Sequence, residues 1–156
     1  YFYDFFEKII NTNKNNAFEK DDLGRLPLHI ALEKRVCNRI LQLFISTNPE
    51  AIRQKDNNGN LPIHIDACQN YFQHFKVLSQ IYPESLEEKN DKGQLLLHTT
   101  VLQSHKKEEL HIIRIILNLY PEQINQNDKN GNTPLDIAIL KYNIELVELF
   151  LYNNEL

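Results

Sequence analysis

Apolar residues recur along the chain in pairs of short stretches that are separated by polar turns. In the second stretch of each pair they follow the spacing i, i+3 and i+4, which places them on one face of a helix. These faces are formed by Leu41, Phe44 and Ile45; by Phe75 and Leu78; by Ile113, Ile116 and Leu117; and by Val147, Phe150 and Leu151. The pattern predicts pairs of short antiparallel helices whose second members make the core.

A polar turn with a recurring composition precedes each helix pair. It opens with Asp or Asn, has Gly three residues later, and runs into an apolar helix start at residues 21–29, 56–64, 90–98 and 128–136. Gly24, Gly59, Gly93 and Gly131 lie 35, 34 and 38 residues apart, a period typical of stacked helix-pair repeats. We expect the Asp or Asn side chain to bond to the turn backbone and Gly to take a conformation that a Cβ disfavours.

The helix starts show where the first helix of each pair begins. Pro27, Pro62 and Pro134 suit the first helical position, where a missing N–H costs nothing and the fixed φ is already helical. The third repeat has Leu96 in place of this proline, so it has the least typical helix start.

This pattern resembles the ankyrin repeat, whose D-x-x-G-x-T-P-L-H-x-A core is matched nearly throughout by residues 128–138, with further similarity over 144–154. The resemblance covers almost the whole chain. It implies an all-α fold, a solenoid of stacked antiparallel helix pairs joined by short β-turn or hairpin tips. A solenoid of the tetratricopeptide kind is the alternative, but it lacks the turn glycines.

Residues 1–156 are predicted to form one domain that consists of consecutive repeats. Residues 1–20 are interpreted as the second half of a preceding repeat, followed by repeats at 21–55, 56–89, 90–127 and 128–156. In that register Phe6, Ile9 and Ile10 occupy second-helix core positions, and Ala17 falls where the later repeats have the larger apolar residues Ile52, Leu86 and Ile124.

The last helix carries Leu146, Leu149 and Phe150 where a terminal repeat is expected to be polar. We therefore expect that the array is part of a longer chain, or that another surface covers its ends.

The chain departs from the family pattern at both ends of its helices. Leu26, Leu61 and Leu95 replace the capping Thr that only Thr133 retains, and each loss costs on the order of 0.5 to 2 kcal/mol. Asn48, Tyr82 and Tyr120 stand where a Gly usually follows the second helix, and each precedes Pro-Glu. A residue before Pro favours extended backbone, so these helices are predicted to end without a Gly-terminated turn.

Composition limits the classes of function. With 42% hydrophobic and 24% charged residues, the 156-residue chain fits one globular domain. Its net charge of −4 argues against a nucleic-acid partner, and it has no apolar run of roughly 18 residues for direct membrane insertion. Cys37 and Cys68 are interpreted as small buried hydrophobes in a reducing, cytoplasmic compartment.

Several residues invite a chemical interpretation. Asp66 stands at a small apolar position, where a carboxylate needs a partner such as His64 or His98; a structural role is favoured over a functional one. The recurring histidines at helix starts, His29 among them, are expected to tie turns together, as the resemblance implies. The third repeat carries about four additional residues within 103–109, and they are a second candidate contact, because insertions in repeat arrays map to one face.

No metal-ligand spacing, phosphate loop or nucleophile motif occurs, so we predict no cofactor and no catalysis. The resemblance implies a protein partner bound on the concave face by the turn tips and the first helices. Carried onto this sequence, the partner-binding residues are Arg25, Glu33, Lys34, Asn57, Asn58, Asn60, Gln69, Lys92, Gln94, Gln103, Lys129, Asn130, Asn132 and Lys141. Arg25 is the strongest single candidate because Arg is frequent among binding hot spots.

The leading hypothesis is a protein-interaction module, either a scaffold or an adaptor subunit. Two alternatives remain open: a regulatory array attached to a larger enzyme or channel, and a structural subunit permanently buried in an assembly. The last of these predicts poor solubility of the isolated segment, because its apolar terminal helices would be uncovered.

Overall fold

The computed structural model describes residues 14–69, 72–104 and 110–153, and these residues form eight α-helices and no strand. The helices are α1 (Pro27–Glu33), α2 (Asn38–Thr47), α3 (Pro62–Gln69), α4 (Phe72–Ile81), α5 (Leu96–Gln103), α6 (Leu110–Leu119), α7 (Pro134–Leu140) and α8 (Ile144–Asn153). Short 3-10 turns lie at Lys14–Ala17, Pro49–Arg53, Pro83–Leu86 and Pro121–Asn125. Helices α1, α3 and α7 begin at the prolines that the sequence predicts.

The helices stack in two layers. The first helices α1, α3, α5 and α7 pack side by side, α2, α4 and α6 pack in the second layer, and each second helix packs against the first helix of its own pair. The core lies between the layers, where Leu41, Phe75 and Ile113 are buried at equivalent positions. This all-helical stack confirms the predicted solenoid, although Leu151, predicted to be in the core, is 52% exposed.

The turns between helix pairs form closed tips. In the first tip Asp21 N–H donates to Arg25 O and Gly24 N–H donates to Asp21 O, at 3.0 and 2.9 Å, and the other three tips repeat both bonds. The Asp21 carboxylate accepts the N–H groups of Leu23 and Arg25. All four tip glycines have φ between +71° and +82°, which confirms the predicted turn chemistry.

One backbone hydrogen bond joins each tip to the next. Asn57 N–H donates to Leu23 O at 2.9 Å, and the bonds between the later tips join Asp91 N to Asn58 O at 3.1 Å and Lys129 N to Lys92 O at 2.9 Å. The four tips therefore form a continuous bonded edge that holds neighbouring repeats in register.

Buried histidines tie the first helices to the segments that lead into the next tip. Leu61 N–H donates to His64 Nδ1 at 3.2 Å, so the ring hydrogen is on Nε2, which lies 3.2 Å from Glu88 O and donates to it. His29 and His98 make the same two bonds. The predicted tying role is confirmed.

The fourth repeat uses a capping box in place of this histidine. Thr133 Oγ1 accepts from Asp136 N–H, and the Asp136 carboxylate accepts from Thr133 N–H at 2.8 Å. These bonds hold the pKa of Asp136 below its usual value. The leucines at the other helix starts make no side-chain cap bond, as predicted for Leu26 and Leu95.

Three of the second helices end at a residue with non-helical backbone. Asn48, Tyr82 and Tyr120 have φ between −135° and −139° and ψ between 67° and 82°, and each leads directly into a 3-10 turn that begins with Pro. The prediction of an exit without a Gly-terminated turn is confirmed.

Left-handed backbone occurs instead after the first helices α1 and α7, at Arg35 (φ 52°) and Tyr142 (φ 54°).

Because Tyr142 is 90% exposed, its side chain gains little from packing while its Cβ is strained by the positive φ. We expect Tyr142→Gly to raise the free energy of unfolding by about 1 kcal/mol. Chemical denaturation measures this change in the free energy of unfolding. Tyr142→Ala keeps the Cβ, so it is the control and should show no increase. A gain of the same size in both variants would contradict the backbone explanation.

One expectation about burial is wrong. Cys37 is exposed, because it lies at the boundary before α2 and outside the core. Leu146, Leu149 and Phe150 are buried inside the last repeat, because they face α7 within their own helix pair. The exposed apolar residues at this end are instead Ile139, Leu140, Tyr142, Ile144, Leu151 and Tyr152.

Other sequence expectations fall outside the described residues. These include the core positions Phe6, Ile9 and Ile10, and the part of the additional segment at residues 105–109. Ala17 is buried, as are Ile52, Leu86 and Ile124 at the matching positions of the later repeats.

Candidate functional site

A polar groove lies between the second and third tips and is floored by the first helices α3 and α5. Its cavity volume is about 310 Å³. The lining residues are Asn58, Asn60, His64, Ile65, Asn90, Lys92, Gln94, Thr99, Leu102 and Gln103. Five of the predicted partner-binding residues are among them: Asn58, Asn60, Lys92, Gln94 and Gln103.

A ladder of side-chain hydrogen bonds crosses one wall of the groove. Asn90 Nδ2 donates to Asn60 Oδ1 at 2.9 Å and to Gln94 Oε1 at 3.1 Å. Asn60 Nδ2 donates in turn to Asp56 Oδ2 at 3.3 Å, and Gln94 bonds to the side chain of Asp128. The ladder therefore spans three tips and holds its amides in fixed orientations.

The residues at the outer edge of the groove, unlike the ladder, have exposed side chains. Asn58 and Lys92 are exposed at successive tips and Gln103 is exposed at the end of α5. Within the part of the chain that the structure describes, the side chains of these three residues make no hydrogen bond or ion pair. Their amide and ammonium groups are therefore available to a ligand without first breaking an internal bond.

Arg25, the strongest candidate from sequence, is held by two carboxylates. Its Nη2 lies 2.7 Å from Asp21 Oδ2, and its Nη1 lies 2.6 Å from Glu33 Oε2. The Arg25 hydrogen bonds hold the pKa of Asp21 below its usual value, and the Asp21 bond raises the pKa of Arg25. A partner that binds Arg25 would have to compete with these bonds. The same holds for Glu33, because its carboxylate is paired with Arg25.

The remaining predicted residues differ in their accessibility. Lys34, Lys129 and Asn130 are exposed, whereas Asn57 Nδ2 donates to Asp22 O at 3.1 Å and Asn132 bonds to Asp128. Lys141 Nζ donates to Ser104 O at 3.1 Å and to Leu102 O, so it caps the end of α5. The Gln69 side chain lies outside the described residues.

Sequence reasoning missed His64, Ile65, Asn90, Thr99 and Leu102 as groove residues. Ile65 and Thr99 occupy the same position of successive repeats, immediately after the helix-start histidine, and this shared position was a usable signal. Asn90 was assigned only to turn formation, because its dual bonding to two repeats depends on how the tips stack.

The predicted partner of Asp66 was wrong. Asp66 Oδ1 lies 3.2 Å from His74 Nδ1, and neither His64 nor His98 is its partner, because those rings face the tip segments. Both Asp66 and His74 are completely buried. Of the two nearby phenylalanines, Phe75 lies in the core, whereas Phe72 is 37% exposed and packs edge-on against His111, with ring centroids 5.0 Å apart.

Residues 14–69, 72–104 and 110–153 contain neither a candidate metal site nor a candidate membrane span. No group of three or more His, Cys, Asp or Glu side chains in these ranges could hold a metal ion. None of the helices found there is long and apolar enough to cross a membrane.

The fold and groove define a class of protein, a helical-repeat solenoid whose bonded tips and first helices present a polar groove. The family model for ankyrin repeats in three copies matches residues 67–156, which is more than half of the chain. The chain belongs to the ankyrin-repeat family. None of the curated proteins searched matches it. Ankyrin repeats are generally protein–protein interaction modules and are typically non-catalytic.

Proposed function

We propose that this chain is a non-catalytic scaffold or adaptor module that binds a protein partner in the groove between its second and third tips. The observation that supports this proposal is the arrangement of the groove. Its inner amides are fixed by bonds to one another, while Asn58, Lys92 and Gln103 keep their polar groups available at its edge. Groups that are already positioned lose little conformational entropy on binding.

The composition of the groove defines the expected contact. Neutral amides and one lysine surround the half-buried apolar side chains of Ile65 and Leu102. Such a surface suits a polypeptide segment whose backbone N–H and C=O groups bond to the amides and whose side chains contact the two apolar residues. Arg25 has a structural role in this proposal and is not the anchor.

The test is a matched pair of double variants. Asn58→Ala with Lys92→Ala removes one amide and one ammonium from the groove; Gln73→Ala with Lys76→Ala removes the same groups from the exposed side of α4. We expect the groove variant to bind the partner, captured with the full chain from its source, at least tenfold more weakly, and the α4 variant to bind normally. Both should unfold within about 0.5 kcal/mol of the unmodified chain.

Equal binding by both variants would contradict a site in the groove.

A structural subunit is the second candidate function, because six large apolar residues are exposed on the last repeat. In that case binding would depend on Leu140 and Leu151, and Leu140→Ser with Leu151→Ser would abolish capture while the groove variant bound normally.

A further inference from the structure

A pair of ionisable side chains is buried in the core of the second repeat. Asp66 on α3 and His74 on α4 are each 0% exposed and share the hydrogen bond between Oδ1 and Nδ1. The second carboxylate oxygen, Asp66 Oδ2, has no hydrogen-bond partner among the described residues. A carboxylate is therefore buried with one hydrogen bond where several would be needed to replace its water shell.

The other repeats do not use ionisable residues at these two positions. Their pairs are Ala31 with Ile40, Thr100 with Ile112, and Ala138 with Leu146, and all six residues are buried. The same packing is therefore achieved three times without an ionisable group. The Asp–His pair is particular to the second repeat, and helix-pair packing does not require it.

The charge of the pair depends on how many protons it holds. With one shared proton the pair is neutral overall, whether as two neutral groups or as a carboxylate and an imidazolium. Losing that proton leaves a net charge of −1 in a completely buried site. A buried net charge is costly, so the helix packing should be most stable with one proton.

We propose that the Asp66–His74 pair is a pH-dependent stability switch, which holds α3 and α4 together while it carries its shared proton and loosens them when that proton is lost. Because α3 also supplies His64 and Ile65 to the groove, loosening would act on the groove floor. The switch itself does not depend on the proposed function.

The titratable and charged groups on the elements packed against the pair are either bonded elsewhere or exposed. On the elements packed against α3, Glu33 is bound to Arg25, and His29 and His98 are bonded to Gln54 O and Gln126 O. The remaining charged or titratable groups on these elements and on those packed against α4 are exposed on the outer surface; they are Arg39, Glu50, Arg53, Lys76, Glu84, His111 and Arg114.

Burial raises the pKa of Asp66, and the hydrogen bond and charge of His74 oppose that rise. A carboxyl group whose pKa is raised by folding stabilises the fold fully below its unfolded value near 3.8, and this contribution is lost as pH rises through the folded pKa. The pair should therefore destabilise the second repeat on the rising-pH side, where the shared proton leaves.

Hydrogen–deuterium exchange of the full chain across a pH series tests the switch, after correction for intrinsic exchange rates. Amides of α3 and α4 should lose protection by up to tenfold per pH unit on the rising-pH side, the limit for one linked proton. Amides of α7 and α8 are the internal reference. Asp66→Ala with His74→Ile installs the pair of the first repeat and should remove this pH dependence.

Two further variants make the result decisive. Asp66→Asn keeps a hydrogen-bond acceptor for His74 and should lose the dependence on the rising-pH side. Thr100→Ala makes a non-ionisable change at the equivalent position and should leave the profile unaltered. The same pH profile in the unmodified chain and in the double variant would overturn the proposal; if the double variant does not fold, an unchanged profile in Asp66→Asn would overturn it.

Discussion

Gly59→Ala should lower the free energy of unfolding by about 2 to 4 kcal/mol. Gly59 has φ +73°, so any Cβ there carries left-handed strain of about 1 kcal/mol. The added Cβ would also lie 2.5 Å from Asp91 N in the next tip, a contact that forces the second and third tips apart. Separation would weaken the bond from Asp91 N–H to Asn58 O, and urea denaturation measures the total loss.

Gly131→Ala is the matched control for this prediction. Gly131 has φ +82°, but a Cβ there would meet nothing within 4 Å. Its substitution should therefore cost only the backbone strain, about 1 kcal/mol. Equal losses in the two variants would show that contact between tips contributes nothing to stability.

His64→Ala should lower the free energy of unfolding at pH 7 by about 2 to 4 kcal/mol. The imidazole is 1% exposed and bonds to Leu61 N and Glu88 O, so its removal leaves a buried donor and a partly buried acceptor unpaired. Each such group costs about 1 to 3 kcal/mol. His111→Ala is the control: this imidazole is exposed, and its loss should cost less than about 1 kcal/mol.

The His64 prediction includes a pH dependence with a definite sign. Burial lowers the pKa of His64 from 6.5 to about 4, because the charged ring loses its hydration. A group with a lowered folded pKa contributes stability that is present above 6.5 and is lost as pH falls through about 4. The unmodified chain should therefore lose stability over this interval more steeply than His64→Ala in urea denaturation at successive pH values; parallel curves would contradict the assignment.

The groove was predictable in part. Asn58, Asn60, Lys92, Gln94 and Gln103 could be assigned to one face because each occupies a defined position in the repeat. Which of their polar groups are available could not be assigned, because that depends on bonds between tips that lie about 34 residues apart in the chain. Asn60 and Gln94 are consumed by the ladder through Asn90, whereas Asn58 and Lys92 are not.

Arg25 illustrates the same limit more strongly. Its residue type made it the leading binding candidate, yet its guanidinium is ion-paired with the carboxylates of Asp21 and Glu33. Glu33 is eight residues away at the end of α1, and only the geometry of the tip against the helix brings the two together. Arg25→Ala would therefore disturb the first repeat, and it is a poor probe of binding.

The sequence by itself determined the repeat, its period, the tip glycines, the proline helix starts and the family, because these features depend on local backbone geometry and on the spacing of apolar residues. Only the tertiary structure decided which polar groups are paired. It joined Asp66 to His74 across a helix pair, buried Leu146, Leu149 and Phe150 within the last repeat, and exposed Cys37. Burial and hydrogen-bond partners depend on the elements that pack against a residue, and those elements lie far from it in the chain.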